Sequence, residues 1–258
     1  MTTATRYKTI FGRRIQTSSA QITVAISCFK YGQEATEALD SLLRQTEEAL
    51  DLVVVDDKSP DNSTQILSDW FNRHRGAVKF KNVHLVQHLD NRGLSETRNT
   101  ALSLVETPYI FILDADNLVY PRALQVLRES LDNSGYAMSY SLIERFGMQR
   151  RIVNNSVWLP AKFSRHPYID AMALIRTDVL REVGGYRTMP DKFGWEDYDL
   201  WCSFVDRGLK GCHVPQILCR YRVHDRSMTE TETKPYIHAD LRKIREYFEA
   251  NHAMPFSF

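Results

Sequence analysis

Cysteine is scarce in this sequence, with four residues in 258. Cys28, Cys202, Cys212 and Cys219 form no CxxC pair and no metal-binding cluster, so buried thiols in a reducing compartment are expected rather than disulfides. One-sided charge is missing as well. The 33 Lys and Arg residues stand against 32 Asp and Glu, a formal net charge of +1 that gives no extended positive field and argues against nucleic acid as a partner. No apolar run approaches the roughly 20 residues that cross a bilayer. The basic leader carrying Arg6, Lys8, Arg13 and Arg14 is not followed by the apolar core of a signal peptide. These absences predict a cytoplasmic chain, in which the sequons at Asn62 and Asn154 carry no weight. Two nucleotide motifs are also lacking. No glycine-rich fingerprint follows the first apolar strand and no GxxxxGK[ST] loop occurs, which argues against NAD and P-loop ATP chemistry.

What is present is a core-forming composition, 43% apolar, enough for one large domain or two closely joined ones. Two short apolar runs stop at aspartates: Leu52-Val53-Val54-Val55-Asp56-Asp57 and Tyr109-Ile110-Phe111-Ile112-Leu113-Asp114-Ala115-Asp116. Carboxylates at the carboxyl ends of buried parallel strands can converge on one crevice and hold a nucleotide and a divalent cation. Around these runs the pattern alternates. Residues 22–28, 52–55, 83–86 and 109–113 read as strands. Between them, Ala35, Leu39, Leu42 and Leu43, then Ile66, Leu67, Trp70 and Phe71, then Ala101, Leu102 and Val105 fall at helical spacing. Ser95 is expected to cap the third helix, and Pro121 to sit in the first turn of a fourth. Strands separated by helices predict a parallel sheet covered on both faces up to about residue 130.

Beyond Ser139 the pattern changes. Glu144 to Lys162 suits a surface loop or irregular strand pair bordering a site, 171–175 a further strand, and Thr177 the cap of a short helix stopped by Gly184-Gly185. A helix over 197–207, a strand over 217–223 and a closing amphipathic helix marked by Ile237, Leu241, Ile244 and Phe248 complete the chain. The expected organisation is a polar leader over 1–21, a nucleotide-binding half over 22–130, a second half over 131–234, and a helix and tail over 235–258. All belong to one compact unit. The apolar tail Met254-Pro255-Phe256-Ser257-Phe258 is expected to dock on the chain itself, with a second subunit or lipid as other choices.

Asp114 and Asp116, two apart, face the same side if strand geometry persists. One can bind a cation while the other accepts a ribose hydroxyl; hard oxygen ligands with diphosphate oxygens suit Mg²⁺ or Mn²⁺. A strand end followed by an Asx turn at Asp116-Asn117 is the plainer alternative. Asp56-Asp57 can accept the N–H of uracil or guanine, or simply end a strand and cap a helix. Arg98, close behind a helix start, gains nothing from the dipole there, so a base or phosphate contact explains it, as does a surface ion pair. Phe193-Gly194-Trp195-Glu196-Asp197-Tyr198-Asp199 sets acids beside an apolar wall, where Glu196 or Asp197 could take a proton from an attacking sugar hydroxyl. His224 and Asp225 add possible metal or phosphate contacts.

Together these segments resemble the family 2 nucleotide-sugar glycosyltransferases of GT-A fold, over roughly residues 22–229. The likeness runs through Ala25-Ile26-Ser27-Cys28-Phe29, Val54-Val55-Asp56-Asp57-Lys58-Ser59, and Asn91-Arg92-Gly93-Leu94-Ser95-Glu96-Thr97-Arg98-Asn99. It continues in Leu113-Asp114-Ala115-Asp116-Asn117, Gly184-Gly185-Tyr186, Trp195-Glu196-Asp197 and His224-Asp225-Arg226-Ser227-Met228-Thr229. The resemblance implies an α/β three-layer sandwich with a mostly parallel, mixed central sheet flanked by helices, residues 22–130 forming the nucleotide-sugar-binding half and 131–234 the acceptor-binding and catalytic half. It implies that Asp57 contacts the base, Arg98 the base or diphosphate and Asp114 the ribose, with Ser27 and Phe29 also on the donor. Asp116, joined by His224, would ligate the metal; Asp197 would be the general base and Glu196 would help bind the acceptor.

The implied activity is inverting, metal-assisted transfer, a hexosyl transfer by preference, from a nucleoside-diphosphate sugar. A UDP-sugar is favoured, with GDP and dTDP donors open. A carbohydrate, glycolipid or other hydroxyl compound would accept, in glycan or glycolipid assembly, and peripheral membrane contact and self-association stay open. Two departures stand out: Lys58 where the family often has glycine or a small residue, and no Gln-x-x-Arg-Trp motif of processive synthases. A haloacid-dehalogenase-like phosphatase, with Asp-x-Asp after a strand, and a non-catalytic nucleotide-sugar-binding protein are the alternatives.

Overall fold

The computed structural model describes residues 7–15, 18–190, 194–228, 231 and 233–258. Phe193 and Thr229, both in motifs named above, lie outside the described residues, as does the side chain of Ile237. The first half alternates β2 (Ile22–Cys28), α1 (Gly32–Leu43), β3 (Leu50–Asp56), α2 (Ser63–Arg73), β4 (Phe80–His88), α3 (Leu94–Ser103) and β5 (Tyr109–Asp114). Continuous apolar runs in β2, β3 and β5 leave these strands almost wholly buried, as strands covered on both faces require. They are parallel neighbours, with β3 also parallel to β4. Gly32 lets α1 and α2 approach closely, because a Cβ there would lie 2.5 Å from Ser63 Cα.

The rest of the chain adds β6 (Leu118–Val119), α4 (Ala123–Ser134), β7 (Met138–Gly147), β8 (Arg151–Val153), α5 (Pro160–Phe163), β9 (Ala173–Arg176), α6 (Thr177–Glu182), α7 (Glu196–Asp206), β10 (Gly211–Val223) and α8 (Lys234–Asn251). Strand β9 enters antiparallel to both β5 and β7, while β10 runs parallel to β7. With β1 (Tyr7–Arg13) at one end and β6 at the other, the order is β1-β4-β3-β2-β5-β9-β7-β10-β6, and β8 pairs with β7. A mixed, mostly parallel sheet with flanking helices results, and it runs unbroken through both halves of the chain.

Several expectations need correction. The leader is not featureless: Tyr7–Arg13 forms an edge strand antiparallel to β4. Phe11 stacks on Phe71 with ring centroids 5.3 Å apart, and Arg13 donates to the carbonyls of Arg75, Ala77 and Phe80. Edge strands of mixed polarity lack the apolar run that marks a central strand, which hides them in sequence. Ser95 is not a cap, since α3 begins at Leu94 behind Gly93. Thr177 is the first residue of α6 rather than its cap, and Pro121 precedes α4 by one residue beyond its N-cap. Gly184 and Gly185 do stop α6, with φ of 93° and 72° and an amide bond from Gly185 back to the Leu180 carbonyl. The tail packs internally: Phe256 is buried, and Phe256 and Phe258 pack around Phe248 and Tyr198. Among the described residues all four cysteines are unpaired, and no helix is long and apolar enough to cross a membrane.

Candidate functional site

Strand register brings the motifs together. Ser27 lies opposite Asp114, and Cys28 opposite Asp56, so the carboxyl ends of β2, β3 and β5 meet at one edge of the sheet. There a cleft of about 530 Å³ opens, walled by Ser27, Phe29, Asp57, Asp114, Asp116 and Glu196 among others. The second half contributes its far side through Met189, Gly194 and the segment Arg226–Met228.

Asp114 and Asp116 both reach the cleft, but by a turn rather than by strand pleating. Strand β5 ends at Asp114, and the Asn117 amide bonds back to the Asp114 carbonyl at 3.0 Å. Strand β10 holds this turn: Arg222 donates its amide to Asn117 Oδ1 and its Nε to the Asp116 carbonyl, each at 2.9 Å. The turn and the site are thus one structure. Burial, together with the charge of Asp114, pushes the Asp116 carboxyl above its usual range; His224, with Nε2 3.0 Å from Asp116 Oδ2, opposes the shift. His224 also tilts against Tyr31, whose hydroxyl donates to the Arg226 carbonyl.

No three His, Cys, Asp or Glu side chains cluster into a ready-made cation cage among the described residues. The donor set nevertheless fits Mg²⁺ or Mn²⁺ carried by a diphosphate. Those ions keep several ligands from water and phosphate, and a buried carboxylate raised by a neighbouring carboxylate is stabilised by an added positive charge.

Arg98 is where the structure departs most from the sequence reading. Its guanidinium is buried, 2% exposed, and absent from the cleft wall. Nη1 donates to Glu196 Oε1 at 2.5 Å, Nη2 donates to Asp114 Oδ1 at 2.8 Å, and the group lies over the Tyr186 ring at 5.2 Å. Burial works against its charge, but Asp114 and Glu196 outweigh it and push the pKa up. Arg98 is neither a surface ion pair nor free to touch a base or diphosphate; it ties the end of β5 to the start of α7. Next to it, Asn99 exchanges two hydrogen bonds with the backbone of Tyr186, at 2.7 and 2.8 Å. Gly185 makes room for this clip, because a Cβ would meet Asn99 Oδ1 at 2.5 Å.

Glu196 stands on the cleft wall, and Asp197, partly exposed, follows it in the first turn of α7. Trp195 and Gly194, with φ of 64° and 81°, turn the chain sharply into α7, which opens on these acids. Burial, then Glu196, raises the Asp197 carboxyl to about 8, against the opposing pull of Arg98. The third acid, Asp199, is structural: it is held by Arg187 and by His252 Nε2 at 3.0 Å, which fasten the end of α8.

Asp56 and Asp57 divide their roles. Asp56 accepts from the Ser59 amide and hydroxyl, Thr64 and Gln87, which makes it a loop staple. Asp57 lines the cleft, yet its oxygens also receive the amides of Arg92 and Gly93, at 2.8 and 2.7 Å, and His88 Nδ1 lies 2.7 Å away. Lys58 adopts φ of 59°, a left-handed conformation that glycine takes without steric cost.

Sequence reasoning missed three residues here. His88 ends β4 beyond the predicted strand; Tyr186 was noted only within its motif. Asp170 precedes β9, donates its amide to Asn154, and is raised to about 6 by burial and then by Asp114. Asp170 sits just before β9, and its nearness to Asp114 follows from the fold rather than from any spacing in the sequence.

The "Glycosyl transferase family 2" profile matches residues 23–193. "Putative glycosyltransferase EpsE" of Bacillus subtilis is 24% identical over 80% of this chain and 74% of its own length. The Staphylococcus aureus TarS 1–349 structure in complex with UDP-GlcNAc superposes with TM-score 0.67 at 17% identity, covering 82% of this chain. This chain spans 61% of that TarS chain, less than two thirds. Mannosyltransferase PcManGT from Pyrobaculum calidifontis, in complex with GDP-Man and Mn2+, superposes with TM-score 0.65 at 19% identity, covering 91% of this chain and 67% of its own. These likenesses show a GT-A type α/β sandwich. With two thirds of its length matched by the profile, the chain belongs to glycosyl transferase family 2.

Proposed function

We propose that this chain transfers a sugar, a hexose by preference, from a nucleoside-diphosphate donor to an acceptor hydroxyl by a single inverting displacement. The observation that carries the reading is the convergence of Asp57, Asp114, Asp116 and Glu196 on one cleft at the carboxyl ends of the strands. Residues 22–130 supply the donor wall and residues 131–234 the acceptor side, within one compact unit. Ser27, Phe29 and Asp57, which line the cleft, would face the nucleoside, and Asp114 would accept a ribose hydroxyl. UDP-GlcNAc on TarS and GDP-Man with Mn2+ on PcManGT support a nucleotide sugar and a cation, with UDP favoured.

Asp116, with His224, would hold the Mn²⁺ or Mg²⁺, which would supply positive charge against the departing diphosphate. Glu196, its Oε1 already bonded to Arg98, is suited to orienting the acceptor. Asp197 is the better proton acceptor, since burial and Glu196 make its charged form costly and its basicity high. It takes the proton of the acceptor hydroxyl as the oxygen attacks the anomeric carbon. The phosphatase alternative needs an aspartate free to attack phosphorus, but Asp114 is paired with Arg98 at 2.8 Å.

The acceptor is a glycan, glycolipid or other hydroxyl compound, handled in a cytoplasmic setting or at the inner membrane face. The test is incubation of purified protein and Mn²⁺ with UDP-, GDP- and dTDP-sugars and candidate acceptors, following nucleoside diphosphate release and product anomer by NMR. Inverted product supports the reading. Retained configuration, or inorganic phosphate as the released species, overturns it, and binding without turnover supports the non-catalytic alternative.

A further inference from the structure

The buried histidine at the end of β4 has no part in the chemistry above, yet it is bonded to a residue that does. His88 is fully buried, with Nδ1 2.7 Å from Asp57 Oδ1 and Nε2 2.9 Å from Thr100 Oγ1. The short Nδ1 contact makes that nitrogen the donor, since an ionised carboxylate only accepts; Nε2 then pairs with the Thr100 hydroxyl. Asp57 passes the constraint on. Its Oδ1 and Oδ2 receive the amides of Arg92 and Gly93, and its carbonyl receives Asn91 Nδ2 at 3.0 Å. Asn91, Arg92 and Gly93 all line the cleft. Gly93, at φ of 86°, is the turn into α3. Thr100 lies on the same helix, so His88 braces both Asp57 and α3.

We propose that His88 is a positioning residue for the donor: through Asp57 it fixes the Asn91–Gly93 loop as the nucleotide-facing wall of the cleft. A carboxylate that serves two loop amides and a histidine cannot shift toward an incoming nucleotide without releasing the loop. Asp57 therefore acts on the donor chiefly by the shape it imposes. His88 supplies the buried N–H that keeps its oxygens aimed at the two amides. This inference rests on the donor reading above.

The two amide substitutions separate the ring nitrogens, because an Asn amide nitrogen can occupy the place of Nδ1 and a Gln amide nitrogen that of Nε2. Titration calorimetry with UDP and with GDP, each with Mn²⁺, reads donor affinity, and hydrogen exchange reads the Arg92 and Gly93 amides. In H88N both stay near wild type; in H88Q affinity falls about ten-fold or more and the two amides exchange faster. The H88Q/D57N double variant loses no more affinity than D57N alone, because His88 acts through Asp57. Folded H88Q with unchanged affinity, additive losses in the double variant, or equal losses in H88N and H88Q would each overturn the proposal. Where H88Q does not fold, the H88N/D57N pair replaces it: selective exposure of residues 92–93 in H88N overturns the proposal, and protection with retained affinity supports it. A wild type that binds neither nucleotide refutes the donor reading itself, a result distinct from these.

Discussion

Replacing Asp197 by Asn should cripple transfer and stabilise the folded protein at the same time. The carboxyl is raised to about 8 by burial and by Glu196, so its charged form is disfavoured in the native state relative to the unfolded chain. A carboxylate raised on folding binds its proton more tightly when native, so stability declines as pH rises from about 4 to about 8 and is level above. Four pH units at about 1.4 kcal/mol each set an upper bound near 6 kcal/mol. Relaxation around Glu196 and Arg98 brings the expected gain of Asp197→Asn at pH 8.5 to about 1–3 kcal/mol, with little gain near pH 4. General-base loss costs roughly 10²–10⁴-fold in rate, about 3–5 kcal/mol of barrier. Urea unfolding at the two pH values, beside steady-state transfer with saturating donor, reads both. Equal stability of variant and wild type at pH 8.5 would refute the electrostatic argument, and near-normal turnover would remove Asp197 from the base role.

Other expectations follow from the same geometry. Wild-type kcat/KM should rise with pH toward an apparent pKa near 8, and Asp197→Asn should flatten that limb; a profile unchanged in the variant assigns the limb elsewhere. Asp116→Ala should weaken Mn²⁺-dependent donor binding more than Asp197→Asn does, a comparison that calorimetry makes directly, and equal affinities would contradict it. At Lys58, φ of 59° predicts that Gly is tolerated within about 1 kcal/mol, whereas Val costs about 1–2 kcal/mol more than Gly, measured by urea unfolding; equal stabilities would reject the left-handed backbone. His252→Ala should cost about 1–3 kcal/mol, because it strips buried Asp199, 3.0 Å away, of one partner and cuts its link to Asp206, a solvent-exposed residue 2.7 Å away; a change below 0.5 kcal/mol would show that the network is dispensable.

The parallel half of the fold was legible because β2, β3 and β5 are nearly uninterrupted apolar runs and α1 and α2 keep clean helical spacing. Strand β1 was not, since an edge strand with one covered face carries half the signal. The aspartates at the strand ends could be placed on one crevice because parallel strands with helical crossovers share a carboxyl edge. Arg98 shows the limit. Its helical position was readable, but its two partners lie 16 and 98 residues away, and only β5 and α7 meeting in space reveals that its charge is spent inside. His88 was unreadable for a similar reason, because its hydrogen bond reaches Asp57, just past the end of the neighbouring strand β3.

The central claim is that these carboxylates surround a cation-bound nucleoside diphosphate. Crystals grown with UDP or GDP and Mn²⁺, measured for the anomalous signal of manganese, test it most directly. The account predicts one manganese peak beside Asp116, with the nucleoside against Ser27, Phe29 and the Asn91–Gly93 loop. A nucleotide seated outside this cleft, or a cation bound to it without Asp116, would contradict the account.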